Sequence, residues 1–320
     1  MDQAHPQITV IGDIGVDHVM GPTEAWPRIG TETIMERAEL RAGGSGGNTA
    51  LALRHLGFTA HLIAAVGHDD FGAWLERQFH GLKCSLQRCE LPTTVSIGVM
   101  HSCGERSFLT TRGHLEHMGI AHVLRSLRPA ASANALAMLS GPFLLRELRP
   151  HYAALISELG RLGYQVALDT GWPAQDWSAA LREEVQGWVR QADHLLINEL
   201  EALSLAAASD LEAAIDTLSG WLKPGATLVV KVGPRGAIGW QAGERVQVPS
   251  ASAAIFDTIG AGDAFNAGYL VARTQGAGLR VALDSGCRAA VAILSRFPRH
   301  DIHPGELAAC LSPTHEETAA

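Results

Sequence analysis

Short apolar runs alternate along this chain with longer stretches whose apolar residues recur every three or four positions. Ile8–Ile11, His61–Val66, Ala135–Leu139, Val166–Leu168, Leu195–Ile197 and Thr227–Val232 read as strands. Ala50–Leu56, Phe71–Phe79, Tyr152–Leu162, Glu199–Ala207, Leu211–Leu222, Ala264–Arg273 and Leu279–Leu294 have helical spacing. Continuous apolar strands separated by amphipathic helices predict a mainly parallel sheet covered on both faces, an α/β/α sandwich.

Two regions break this rhythm. Val16–Leu40 and Val95–Thr111 are more polar and strand-like, with the alternation Thr93-Thr-Val-Ser-Ile-Gly-Val in the second. They predict a small β flap built from two distant pieces, about residues 16–40 and 93–112. Such a flap can cover a site and exclude water; a pair of ordinary surface hairpins is the alternative. No internal repeat or low-complexity segment divides the chain, so residues 1–320 are expected to form one domain. The polar residues after Pro313 are expected to be mobile.

Composition narrows the function classes. Hydrophobic residues make up 47% of 320, enough for a full core, and the net charge is −8. With no run of Lys and Arg, a nucleic-acid partner is not expected. No stretch has the apolar length that spans a bilayer, and Met1–Pro6 lacks the basic-then-apolar order of a signal peptide. A cytoplasmic protein without a membrane partner is the expectation. Five scattered cysteines lack Cys-x-x-Cys spacing and read as free thiols. Among fifteen histidines, His114/His117 and His300/His303 are three apart, but no carboxylate or Cys completes a metal set. Solvated loop histidines are the preferred reading.

The chemistry concentrates in two glycine clusters. Asp257-Thr-Ile-Gly-Ala-Gly-Asp263 runs straight into the apolar helix-former Ala264-Phe-Asn-Ala-Gly-Tyr-Leu270. The N–H groups of Gly260, Ala261 and Gly262 would sit at the positive end of a helix, a ready anion site. Asp263 at its mouth would repel a fully formed phosphate. The placement makes sense for phosphoryl transfer, with the carboxylate taking the proton of an attacking hydroxyl; a plain helix cap is the bland alternative. The second cluster, Ala42-Gly-Gly-Ser-Gly-Gly-Asn48, opens another helix and suits a small polyhydroxy ligand. Gly43 and Gly44 would let the backbone approach it, and Asn48 would offer donor and acceptor. Neither cluster is a Walker loop or a Gly-x-Gly-x-x-Gly fingerprint, since Phe265 and Thr49 occupy the last position.

These two clusters resemble the C-terminal and N-terminal signatures of the PfkB (ribokinase-like) family of sugar and nucleoside kinases. Gly12-Asp-Ile-Gly-Val-Asp17 is similar to that family's opening motif, which implies that Asp17 holds substrate hydroxyls. Gly104–Gly113 looks like the lid strand and the turn after it. Leu168-Asp-Thr-Gly171 looks like the strand end that carries an Asp towards the phosphates. Asn198-Glu-Leu-Glu201 resembles the Asn-x-x-Glu element, which implies that Glu201 organises Mg²⁺ through water. Val230–Ala237 resembles the strand and turn along the nucleotide.

The resemblance implies a ribokinase-like sandwich with a β lid and ATP-dependent phosphorylation of a hydroxyl on a sugar or sugar acid. Asp263 would be the base, with Gly260, Ala261 and Gly262 as anion hole. Asp17, Gly43, Gly44, Asn48 and the lid's Arg112 would hold substrate, and Lys231, Gly233, Gly236 and Asn198 would hold ATP. Carbonyls of Asp257 and Ile259 could hold a monovalent cation such as K⁺, and two copies could pair through the lid into a homodimer.

The sequence departs from the family pattern at three places. Ser45 stands where ribokinase-type members often have Lys, Ser140-Gly-Pro142 falls where Glu is often found, and Ser295–His300 lacks the glycine of potassium-activated members. Ribose itself is therefore not implied. A nucleoside kinase of the same fold and a catalytically silent sugar-binding or regulatory protein are the two alternatives. The low aromatic content, 6%, leans away from a purine pocket, and an intact Asp263 leans away from a silent protein.

Overall fold

A computed structural model describes residues 7–311, apart from 105, 254 and 256. The tail expected to be mobile lies outside the described residues, as does the segment Met1–Pro6. The strands are β1 Ile8–Ile11, β2 Gly15–Thr23, β3 Arg37–Gly43, β4 Ala60–Gly67, β5 Lys83–Cys89, β6 Val95–His101 and β7 Arg106–Thr110. They continue with β8 Leu136–Leu139, β9 Gln165–Leu168, β10 His194–Asn198, β11 Thr227–Lys231, β12 Ala237–Gln241 and β13 Glu244–Val248. The helices are α1 Ser45–His55, α2 Asp70–Gln78, α3 Ile120–Ser126, α4 Tyr152–Arg161, α5 Ala179–Val189, α6 Glu199–Ala206, α7 Leu211–Ser219, α8 Ala261–Thr274 and α9 Leu279–Leu294.

Nine strands form one sheet in the order β13-β12-β11-β10-β9-β8-β1-β4-β5, parallel from β5 to β11 and closed by an antiparallel hairpin at β12–β13. Alternate residues of each inner strand enter opposite cores. Leu62, Ala64 and Val66 of β4 join α1, α8 and α9 on one face, whereas Ile63 and Ala65 join α4 and α5 on the other. Burial on both sides is why these strands read as unbroken apolar runs. Each buried Leu or Ile contributes about 1.5–3 kcal/mol of transfer free energy. Among the described residues, no helix is long and apolar enough to cross a membrane.

The flap is real and is a second, four-stranded sheet, β3-β2-β6-β7. Its two pieces meet where β2 and β6 pair in parallel, Val16 beside Val95 and Asp17 beside Ser96. The first piece differs in extent from the sequence expectation: residues 24–36 form no strand, and β3 continues to Gly43. Pro27 and Gly30 interrupt the pairing there. The register gives the sheet two distinct faces. Arg41, Asp17, Ser96 and Thr110 line up across one, and Leu40, His18, Ile97 and Leu109 across the other. The first row faces the loop before α8, where Arg41 meets Asp257; the apolar members of the second are exposed.

Candidate active site

Every parallel strand of the large sheet ends at the same edge, and the loops beyond that edge converge under the lid. Helix α8 begins there. Gly260, its N-cap, has φ of 76°, a left-handed conformation that turns the chain sharply into the helix. Ala261, Gly262 and Asp263 make the first turn, so their N–H groups have no partner within the helix, although Ala261 N–H donates back to Thr258 O at 3.2 Å. A side chain at Gly262 would lie 3.1 Å from Lys231 Nζ, so the glycine lets an ammonium stand beside the helix tip.

Asp263 is half-buried and reachable, not packed into the core. Asn48, on the first turn of α1, donates from Nδ2 to Asp263 Oδ2 at 3.0 Å. Burial, with help from the charge of Asp169, holds the Asp263 carboxyl well above the ordinary carboxylate range, against the pull of Asn48 and Lys231. A base drawn upward in this way is better matched to taking a proton near neutral pH.

Behind it lies a polar network made by strand ends. Lys231, last residue of β11, reaches Asp169 Oδ2 at 2.7 Å and Asn266 Oδ1 at 3.3 Å. Asn266 of α8 donates to Asp169 Oδ2 at 2.7 Å. At the β10–α6 junction Asn198 and Glu201 form a reciprocal cap: Glu201 N–H donates to Asn198 Oδ1 at 2.9 Å, and Asn198 N–H to Glu201 Oε2 at 2.8 Å. Burial and the charge of Asp169 raise Glu201 to about 7. Among the described residues no cluster of three or more His, Cys, Asp or Glu could hold a metal by itself.

The opposite wall is the loop after β1 together with the base of the lid. A side chain at Gly43 would lie 2.1 Å from Asp17 Oδ2, so this glycine makes room for the Asp17 carboxylate. Gly44 is the N-cap of α1. Burial raises Asp17 to about 7 and Asp13 to about 6. Asp13 Oδ1 accepts from Gly46 N–H at 3.2 Å, at the start of α1.

The structure thus brings together Asp263, the Gly260–Gly262 turn, Asn48, Lys231, Asn198 and Glu201 in one connected region, with Asp17, Gly43 and Gly44 on its other side. Two expected site residues, Arg112 and Gly236, are engaged elsewhere. Arg112 has a side chain 84% exposed and pairs with Glu116 at 3.8 Å, so it points away from the site. Arg106 is the lid arginine that reaches the loop before α8, at Thr258 Oγ1, 3.3 Å away. Gly236 is required by packing within the sheet, since a side chain there would lie 2.0 Å from Val248 O; Gly233 has open space around it.

The carbonyls of Asp257 and Ile259 already have a cationic donor. Arg299 donates from Nη2 to Asp257 O at 2.9 Å and to Asp257 Oδ1 at 2.8 Å, and from Nη1 to Ile259 O. Arg41 of β3 makes a two-pronged pair with the same carboxylate, 3.2 Å at each contact. Glu39 completes the cluster by accepting from Arg299 N–H at 2.9 Å and from Arg41 at 3.3 Å.

Of the four spaced histidines, His114 departs from expectation: it is fully buried, and its Nδ1 accepts from Thr94 N at 3.0 Å. His117, His300 and His303 are exposed, as expected, with His300 Nδ1 3.3 Å from Glu39. Sequence reasoning gave no role to Asp13, Asn266, Arg41, Glu39 or Arg299. Asp13 and Asn266 sit inside the recognised motifs and were open to notice; the other three carry no local signal. All five cysteines are free thiols, as expected.

A family model described as pfkB family carbohydrate kinase matches residues 6–298. The chain belongs to this family. Among curated relatives of this pfkB-family chain, the ribokinase of Haemophilus influenzae is 26% identical over 321 residues, covering 97% of this chain and 96% of its own. Among solved structures, Arabidopsis thaliana ribokinase complexed with ribose and ATP is 20% identical, with a TM-score of 0.76, covering 97% of this chain and 100% of that one. Adenosine kinase from Sinorhizobium meliloti is 22% identical, with a TM-score of 0.79, covering 96% and 99%. These likenesses establish the ribokinase fold. They do not divide sugar from nucleoside substrates, because the pfkB-family neighbours include both.

Proposed function

We propose that this chain transfers the terminal phosphoryl group of ATP to a hydroxyl of a small sugar or sugar acid. The observation that carries the reading is a partly exposed carboxylate, Asp263, held by Asn48 at the mouth of a glycine-turned helix tip. Asp263 accepts the proton of the attacking hydroxyl. The N–H groups of Gly260, Ala261 and Gly262 receive charge that develops on the transferring group. Lys231 adds a positive charge beside them, held in place by Asp169 and Asn266.

Asp17 and the Gly43–Gly44 backbone hold substrate hydroxyls from the lid side, while Asn198, Lys231 and Gly233 lie along the nucleotide. Glu201, drawn up to about 7 by burial and by Asp169, is a buried carboxyl at the edge of this region. A hard oxygen donor there fits Mg²⁺ completed by water and phosphate, which neutralises the phosphate charge when bound. An ATP-consumption assay over a panel of sugars, sugar acids and nucleosides tests the reading. A sugar or sugar acid as best acceptor supports it. A nucleoside as best acceptor selects the related alternative, and no acceptor at all removes the kinase assignment.

Asp17 gives the reading a pH signature. Its carboxyl titrates at about 7 because it is buried, and a sugar hydroxyl donates best to the ionised form. Binding should therefore release a proton and tighten as pH rises through neutrality. Calorimetry in two buffers of different ionisation enthalpy should detect that proton, and Asp17→Asn should abolish it. Proton uptake on binding would remove Asp17 from the sugar contacts.

The exposed row of Leu40, Ile97 and Leu109 on the outer lid face supports pairing of two lids in a homodimer. Sedimentation velocity should find a dimer that Ile97→Lys converts to monomer. A wild-type monomer at micromolar concentration would count against it.

A further inference from the structure

Three oxygens on the short loop that enters α8 converge on one guanidinium. They are the carbonyls of Asp257 and Ile259 and Oδ1 of Asp257, all receiving N–H groups of Arg299. Convergent backbone carbonyls and a carboxylate are the donor set that strips water from an alkali cation. Here the positive charge is covalently attached. The Arg299 side chain is 12% exposed, and its own N–H is pinned by Glu39. A monovalent cation therefore does not fit: its ligands are taken, and a second positive charge would be repelled by Arg299 and Arg41.

The position matters because of peptide planarity. The Ile259 carbonyl and the Gly260 N–H belong to one rigid plane and point in opposite directions. Holding the carbonyl back towards Arg299 turns the Gly260 N–H forward, towards the tip of α8. The next residues, Ala261 and Gly262, continue from that plane into the helix. Arg299 grips the carbonyls that precede the helix tip, so its effect on that tip runs through the backbone.

We infer that Arg299 is a built-in replacement for a monovalent cation, positioning the Gly260–Gly262 turn so that phosphoryl transfer needs no K⁺. This rests on the kinase reading above for its catalytic part only. The replacement itself is a statement about a cation site and has a readout independent of turnover.

The test compares wild type with Arg299→Ala in KCl and in tetramethylammonium chloride at equal ionic strength. Wild-type turnover and melting temperature should be the same in both salts. Arg299→Ala should lose about tenfold to a hundredfold in kcat in tetramethylammonium, with the sugar KM little changed, as misplacement of a catalytic backbone predicts. KCl or guanidinium should restore several-fold of that loss and raise the melting temperature of the variant alone. Wild-type activity that collapses without K⁺ would overturn the proposal, as would a variant with full kcat in tetramethylammonium or one unaffected by KCl and guanidinium.

Should the alanine variant fail to fold, Arg299→Lys keeps one positive charge but has a single nitrogen, so it cannot reproduce the fork that reaches Ile259 O from one nitrogen and Asp257 from the other. It should fold and show the kcat loss and the guanidinium rescue. A lysine variant with wild-type kcat would overturn the bridging role. If wild type phosphorylates nothing, the kinase reading fails, and the salt dependence of the two melting temperatures still decides whether Arg299 replaces a cation.

Discussion

Asp263→Asn should lower kcat by about 10²–10⁴ while leaving the fold and sugar binding close to wild type, the range for loss of a positioned general base. The substitution keeps the shape of the side chain, and its amide oxygen can still accept from Asn48, which now donates to Oδ2 at 3.0 Å. What it removes is a proton acceptor whose affinity has been raised by burial and by Asp169. The effect should fall on kcat rather than KM, because the group acts only as the hydroxyl begins to attack. Steady-state kinetics with the best acceptor, beside far-ultraviolet circular dichroism and a direct sugar Kd, separate these outcomes. Turnover within a few-fold of wild type would leave Asp263 as a helix cap.

Lys231→Met should be costly in both stability and rate. Lys231 is buried against Asp169, 2.7 Å away, with side chains 11% and 7% exposed. Removing the ammonium leaves a buried carboxylate supported only by Asn266 and the Gly171 N–H. Breaking one side of such a pair costs about 3–5 kcal/mol, mostly the penalty of the stranded charge. Denaturant unfolding measures it. Asp169→Asn on the same background should recover much of the stability, since the stranded charge is then gone, but should not recover activity. A lone Lys231→Met that unfolds like wild type would show that water already shares this pair. Full activity in the variant would take Lys231 out of the phosphate site.

Most of the sheet and its helices were legible because they are written in local periodicity; helices α3 and α5 were not among those expected. The strands that escaped notice are β5 and the β12–β13 hairpin. Strand β5 lies at the sheet edge, and its residues KCSLQRC are only partly covered, so no apolar run announces it. The glycine turn that opens α8 was legible for another reason: Gly260, Ala261, Gly262 and Asp263 are consecutive, and their geometry depends mostly on each other. The Arg41–Asp257–Arg299–Glu39 cluster is the opposite case. Arg41 and Asp257 are 216 positions apart, and Glu39 and Arg299 are 260 apart. Nothing near either partner reveals the other. Arg112 is a related case: an arginine at a lid end is local information, but its observed partner is Glu116, four residues on, and not a group of the site.

The cluster that ties β3 to the loop before α8 also sets the order in which this enzyme can become complete during synthesis. Glu39 and Arg41 leave the ribosome early, and the loop they grip leaves it late. Arg299 follows some forty positions after that, at a separation of 42 from Asp257. Until it arrives, Arg41 alone faces Asp257, the carbonyls of residues 257 and 259 have no guanidinium, and the helix tip is not yet aimed. A chain released just short of residue 299 has every strand and long helix of the sandwich and still lacks the guanidinium that holds this loop.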